Sequence, residues 1–157
     1  MLVLLVLFVS LLLFRGLGAL GLPAFDTWIT ATRYALVVMF LFTSSAHFNK
    51  MRHDLARMMP SIVPNPMALV YFTGICEILG AIGILVPLTR SLAGLCLCLF
   101  LLAVFPANIK AARESLTVGG RRATELWLRL PMQVLFLALI IWTTQPWRLF
   151  RSFLSHS

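Results

Sequence analysis

The sequence is poor in charged residues. Asp, Glu, Lys and Arg make up 11% of its 157 residues, whereas soluble domains carry about 25%. Hydrophobic residues reach 61% and the mean hydropathy is +0.96. This composition excludes an ordinary soluble domain. Apolar runs of about 18 residues or more indicate transmembrane helices, so we predict an all-α integral membrane bundle.

The common catalytic and metal-binding motifs are also missing from the sequence. There is no haem-binding CxxCH, no glycine-rich phosphate loop and no Ser/His/Asp arrangement. The three cysteines lie inside apolar runs without metal-ligand spacing, and we interpret them as small apolar side chains. The three histidines fall near or beyond the predicted membrane surface, which argues against haem. We predict no catalytic residues, no metal site and no catalytic activity of the chain on its own.

The net charge of +8 does not indicate a nucleic-acid-binding protein. The 13 basic residues lie between the apolar runs rather than in one stripe. Lipid head groups and membrane orientation explain this distribution better. Membrane lipids, a redox or membrane-protein partner, or a second copy of the chain are the partner classes that remain.

Five apolar runs predict five spans in a single membrane domain covering residues 1–157. The first run contains Arg15, so a shallow interfacial helix is its alternative. Arg33 lies one or two turns inside the second run, where its side chain can reach the head groups. The runs are residues 1–22, 27–48, 67–87, 90–110 and 123–142.

Two of the links carry structural signals. In residues 49–59, apolar side chains recur at helical spacing, which predicts an amphipathic helix lying in the membrane interface. Three prolines then end that helix, and Pro66 suits the first turn of the next span. Residues 111–122 contain Gly119-Gly120 followed by two arginines, which predicts a flexible basic loop.

The distribution of basic residues predicts the orientation. Loops 49–66 and 111–122, with the adjoining helix ends, carry seven Lys and Arg against five on the other side, when the intramembrane Arg129 is left out. Because cytoplasmic loops carry the excess of basic residues, we place these two loops in the cytoplasm. The five on the other side are Arg15, Arg33, Arg90, Arg148 and Arg151.

Glu77 is a carboxylate inside an apolar run, where a charged side chain is not expected. It is the eleventh of 21 residues in the run 67–87, so it lies near the bilayer midplane. An ionised carboxylate alone there would cost several kcal/mol. Gly74 at i−3 and Gly80 at i+3 give its face small residues that allow a neighbouring helix to approach closely.

Four further polar residues gather toward the same leaflet. His47 ends the second run, Asn108 lies near the end of the fourth, and Arg129 and Gln133 share a face of the fifth. We predict a polar cavity with Arg129 near its mouth as the countercharge for Glu77 at its floor. In the alternative, these residues only fasten the helices by hydrogen bonds worth about 1 kcal/mol or less. The candidate ligand-binding residues are His47, Glu77, Asn108, Arg129 and Gln133.

Short motifs between about Arg33 and Trp142 resemble the DoxX-like family of small bacterial membrane proteins. They are SAHF, VPNP, TGICEILGAIGIL, PLTRSLAG, AVFPANIKAA and WLRLPMQ, in that order. The resemblance implies a four-helix core, to which residues 1–22 add an N-terminal helix. It also implies a bacterial inner-membrane location and a partnership with redox or thiol-stress proteins. The same five polar residues would form the family's polar site, whose ligand the resemblance leaves open.

Three functions are compatible with these features. The first is a membrane-anchor subunit of a redox or stress-related complex that interacts with quinone or lipid, with quinone as the implied cofactor. The second is a non-catalytic scaffold or chaperone for other membrane proteins. The third is a small-solute or proton-coupled transporter in which Glu77 titrates, although the sequence shows no inverted repeat.

Overall fold

A computed structural model describes residues 2–114, 117–122 and 125–147 of the chain. The helices are α1 (Leu2–Ala19), α2 (Trp28–Ser45), α3 (Arg52–Met58), α4 (Pro66–Leu85), α5 (Arg90–Arg113) and α6 (Leu126–Thr144). A short 3-10 helix covers Pro23–Phe25. The prediction of an all-helical bundle is confirmed, apart from one two-residue pair of strands. Arg148, Arg151 and His156 lie outside the described residues.

Four of the long helices, α2, α4, α5 and α6, form a ring. Helix α2 packs against α4, α4 against α5, α5 against α6, and α6 returns to α2, while α1 lies against α2. The core between them contains Phe40, Ala81, Leu97 and Ile140, each at most 1% exposed. The ring therefore brings the second apolar run of the sequence into contact with both α4 and α6.

Within the described residues, four helices are long and apolar enough to cross a membrane: α1, α4, α5 and α6. This finding is consistent with an integral membrane protein. Helix α2 is not among the four because Arg33 and several Thr and Ser residues lower its hydropathy. Nine of its residues are buried inside the protein, and the polar residues Thr32, Arg33 and Ser44 are among them.

The helix starts follow from local capping. The Thr27 side chain accepts from the Thr30 N–H at 3.2 Å before α2, and the Asn65 side chain accepts from the Ala68 N–H at 3.2 Å before α4. Pro66 lies in the first turn of α4, as predicted. Proline fits there because its missing N–H would have no helical partner.

Helix α3 differs from the predicted interfacial helix in what its apolar face touches. Met58 is 7% exposed and packs with Ala107 and Ala111 of α5, and Leu55 and Met59 join them. The Lys110 ammonium group donates to the Met59 carbonyl at 2.8 Å. The amphipathic pattern is thus satisfied by protein contacts, and α3 lies across the ends of α4 and α5.

The prediction of a flexible loop at residues 111–122 is wrong in two respects. Helix α5 continues to Arg113, and strands β1 (Thr117–Val118) and β2 (Arg121–Arg122) pair antiparallel. The turn between them uses Gly119 at φ 58° and Gly120 at φ 76°. Positive φ at both central residues is what a tight two-residue hairpin turn requires, and glycine adopts it without a steric cost.

Arg33 is also placed differently from the prediction. Its side chain was expected to reach the lipid head groups, but the residue is only 8% exposed. Its Nη2 donates to the Thr143 carbonyl of α6 at 2.9 Å. A guanidinium group at the end of α6 satisfies a carbonyl that has no helical partner and favours the negative end of the helix dipole.

Candidate functional site

The candidate residues divide into two pairs of helices. His47 and Glu77 meet between α2 and α4, whereas Asn108, Arg129 and Gln133 meet between α5 and α6. The division follows from the ring, in which α2 adjoins α4 and α5 adjoins α6. All five residues are at least partly buried.

His47 is the basic side chain at ion-pair distance from Glu77 among the described residues. Its Nε2 lies 3.6 Å from Oε2 of Glu77, and the two side chains are only 12% and 9% exposed. The predicted countercharge was Arg129, whose Nη1 donates to Oδ1 of Asn108 at 2.6 Å. Helical spacing indicated that Glu77 lies inside the bundle, where it is 7% exposed, but spacing could not identify the neighbouring helix.

The hydrogen bonds of the imidazole fix where its protons lie. Nδ1 of His47 is 2.7 Å from the Val70 carbonyl, which can only accept, so Nδ1 carries a proton. The Thr73 hydroxyl is 3.2 Å from the same nitrogen. In the neutral imidazole, Nε2 is then the acceptor and faces Glu77. In this tautomer, Nε2 of His47 can accept a proton on the side that faces Glu77.

One oxygen of Glu77 lacks a hydrogen-bond partner. Oε2 is buried and has no donor among the described residues, and its 3.6 Å separation from Nε2 exceeds a normal hydrogen bond. The Thr43 hydroxyl lies near the carboxyl group and donates a hydrogen bond to the Phe40 carbonyl at 3.1 Å. A buried acceptor left unsatisfied costs about 1–3 kcal/mol, which suits a group that bonds to a ligand.

Gly74 lets His47 approach α4. A Cβ atom at this position would lie 2.6 Å from Cβ of His47 and 3.0 Å from its Cγ. The predicted small-residue face is thus occupied by the imidazole, which passes over the glycine toward Glu77. Glycine is needed here for close approach rather than for an unusual backbone angle.

The three candidate residues on α5 and α6 all form hydrogen bonds between these two helices. Besides the bond between Arg129 and Asn108, Nε2 of Gln133 donates to the Leu101 carbonyl at 2.6 Å. Both bonds connect α5 to α6, and both involve residues that the sequence analysis selected. Two cavities, one at the other end of the bundle and one between α1 and α6, are lined by none of the five residues that the predicted cavity was to unite.

Two residues of the site were not selected from the sequence. Thr73 contacts His47, and Thr43 lies near Glu77. A signal was present, since Thr73 is four residues before Glu77 and Thr43 four before His47. Residues four apart share a helix face, so a hydroxyl beside each titratable group could have been predicted.

Comparison with protein-family models gives one match, to a domain of unknown function (DUF8561), over residues 36–145. The matched region begins inside α2 and ends just beyond α6. No curated protein and no solved structure matches the chain. The family match covers 110 of the 157 residues and includes all five candidate site residues. The chain therefore belongs to the DUF8561 family.

Proposed function

We propose that the protein is a membrane-anchor subunit of a redox or stress-related complex and that His47 and Glu77 hold a quinone-type head group. The observation that carries this proposal is the buried, unpartnered Oε2 of Glu77 beside an imidazole whose Nδ1 is already engaged. This oxygen can accept from a hydroxyl group of the reduced head group. A protonated Nε2 of His47 can donate to a carbonyl group of the oxidised one.

The chemical fit rests on few polar contacts, as is usual for such ligands. A head group of this kind needs one or two well-placed polar partners, and apolar walls accommodate the rest. The pair offers an acceptor at Oε2 of Glu77 and, when the imidazole is protonated, a donor at Nε2 of His47. A bound quinone would supply the electron-transfer chemistry, while these residues would orient it and exchange a proton with it.

We also propose that the chain is a distant DoxX-like protein of the bacterial inner membrane. The ordered motifs from SAHF to WLRLPMQ support this assignment. In this proposal, the ring of α2, α4, α5 and α6 is the four-helix core, and α1 is the additional N-terminal helix. The start of the DUF8561 match at residue 36, after α1, supports the same division.

The quinone proposal is tested by purifying the protein from native membranes in a mild detergent and measuring extracted quinone per protein. We expect quinone with the native chain and at least a fivefold loss in Glu77→Gln and in His47→Ala. The matched control is Glu114→Gln, which changes an exposed carboxylate at the end of α5. Absence of quinone from the native preparation, or equal amounts in all variants, would contradict the proposal.

A scaffold for other membrane proteins is the second candidate. It is supported by the bonds between Arg129 and Asn108 and between Gln133 and the Leu101 carbonyl. These bonds connect α5 to α6, so the polar groups that form them stabilise the bundle. In this case the outer surface would bind partners. Cross-linked partners should then survive Glu77→Gln, and their loss in that variant would oppose the scaffold function.

Proton-coupled transport is the third candidate, and the proximity of two titratable side chains, His47 and Glu77, inside the bundle supports it. Uptake of a solute into liposomes should then depend on pH and disappear in Glu77→Gln. Uptake that neither change alters would eliminate transport through this pair.

A further inference from the structure

A cavity lies at the end of the bundle opposite the His47–Glu77 pair. Its volume is about 350 Å³, and its lining includes Arg33, Arg90, Ser91 and Thr143. These residues come from α2, α5 and α6 of the ring. Arg33 and His47 are 14 residues apart along α2 and just beyond it, which corresponds to roughly 21 Å at 1.5 Å per residue. The cavity is thus separate from the site described above.

Arg33 brings an unsatisfied cation to this cavity. The residue is 8% exposed, and its Nη2 donates to the Thr143 carbonyl at 2.9 Å. Its Nε is buried and has no hydrogen-bond partner among the described residues. A guanidinium group has five N–H donors, so the bond to Thr143 accounts for only one of them. The bond that caps α6 therefore does not account for the burial of the whole guanidinium group.

Arg90 adds a second guanidinium group. Its Nε donates to the Ile84 carbonyl and its Nη2 to the Leu85 carbonyl, both at 3.2 Å, at the end of α4. Carbonyl groups offset part of a positive charge through the helix dipole. Among the described residues, neither Arg33 nor Arg90 forms an ion pair with a carboxylate. Two cations therefore line one cavity whose described lining contains no acidic residue.

We propose that this cavity binds a phosphate group through Arg33 and Arg90. The planar guanidinium fork matches the oxygen atoms of phosphate and forms short, charge-assisted hydrogen bonds with them. A bound phosphate would bring negative charge between the two cations and supply an acceptor for the Nε of Arg33. The phosphate can belong to an anionic phospholipid or be free orthophosphate.

The surroundings make the lipid source accessible. Trp28 and Trp142, near the same end of α2 and α6, are 53% and 43% exposed. Exposed tryptophan at helix ends is characteristic of the membrane interface, where lipid phosphates lie. Leu88, in the link beside the cavity, is 93% exposed and offers apolar surface to an acyl chain.

The test measures binding to the full-length protein in nonionic detergent micelles. Phosphatidylglycerol and phosphatidylcholine are compared by native mass spectrometry, and orthophosphate is measured by equilibrium dialysis. The main variant is Arg90→Gln, because Arg90 is only partly buried. Arg33→Lys retains the charge and removes the fork. The matched control is Arg113→Gln, which removes an exposed cation at the opposite end of α5.

We expect phosphatidylglycerol to bind about tenfold more tightly than phosphatidylcholine, with at least a tenfold loss in Arg90→Gln and a smaller loss in Arg33→Lys. Arg113→Gln should bind within twofold of the native chain. These results with phosphatidylglycerol would identify a lipid phosphate as the ligand. If orthophosphate binds instead, with the same losses in the variants, the ligand is a soluble phosphate. Binding of neither anion, or binding that is equal in all variants, would overturn the proposal. Folding of each variant is checked by its tryptophan fluorescence spectrum.

Discussion

The contact between His47 and Glu77 should be measurable as a coupling free energy between α2 and α4. Nε2 of His47 and Oε2 of Glu77 are 3.6 Å apart, and both side chains are nearly buried. Opposite unit charges at this distance attract by roughly 5 kcal/mol at an effective dielectric constant of about 20. Desolvation of both groups offsets much of this attraction. Since polar pairs between membrane helices reach about 1.7 kcal/mol in double-mutant cycles, we expect a coupling of about 1–2 kcal/mol.

The assay is a double-mutant cycle with His47→Ala, Glu77→Gln and the combined variant. The free energy of unfolding is measured by SDS titration in mixed micelles, followed by tryptophan fluorescence. The control cycle combines Glu77→Gln with Arg90→Gln. Arg90 bonds to carbonyls at Ile84 and Leu85, at least seven residues or about 10 Å along α4 from Glu77. Such distant changes should add within about 0.5 kcal/mol. A His47–Glu77 coupling no larger than the control value would refute the pairing.

Three further predictions concern other contacts. The Gly119 N–H donates to Asp54 at 2.9 Å and holds the pKa of that carboxyl below 3.8. The contact therefore stabilises the hairpin above about pH 3.8 and is lost as the pH falls through the lowered folded-state pKa; hydrogen exchange should show Gly119 deprotected at low pH and in Asp54→Asn. Gly74→Ala should destabilise the protein to SDS by about 1–3 kcal/mol, because the new methyl group displaces His47. Gln133→Leu should cost about 0.6–1.7 kcal/mol in the same assay through loss of its bond to α5.

Each of these predictions has a matched control. Glu114→Gln removes an exposed carboxylate close to the hairpin in sequence and should leave the exchange of Gly119 unchanged. Gly16→Ala adds a methyl group with no atom within 4 Å of it, so it should not destabilise α1. Val134→Leu changes an exposed neighbour of Gln133 and should be neutral. If a control variant changes the measured exchange or stability as much as its test variant does, the corresponding contact makes no specific contribution.

The helices could be predicted from hydropathy because a long apolar run has few alternatives to a helix when its backbone must be satisfied internally. The neighbours of individual side chains depended on tertiary contacts. The amphipathic pattern of α3 is compatible with both a lipid interface and a protein surface, and Met58 packs against α5. Similarly, a basic residue one turn inside a helix can face lipid or protein. Arg33 faces protein because the end of α6 offers it the Thr143 carbonyl.

The candidate site shows what helical spacing can and cannot provide. Spacing predicts the depth of a residue and which residues share its face, and it correctly selected Glu77 as an interior group. It does not predict the order of helices around a ring. Because α4 adjoins α2, Glu77 meets His47, whereas Arg129 on α6 meets Asn108 on α5. Pairing across helices therefore required the structure.

Helix α2 connects the two proposed sites, and its neighbour α1 explains how it can be so polar. Arg33 lies near its start and His47 just beyond its end. Such groups are costly where they face hydrocarbon. Helix α1 packs along α2, and a cluster of Phe14, Phe25 and Tyr34 joins them with ring centroids 4.9–5.6 Å apart. The apolar α1 thus covers part of the surface of α2, while other parts of α2 contribute to the acid–imidazole pair at one end and to the arginine-lined cavity at the other.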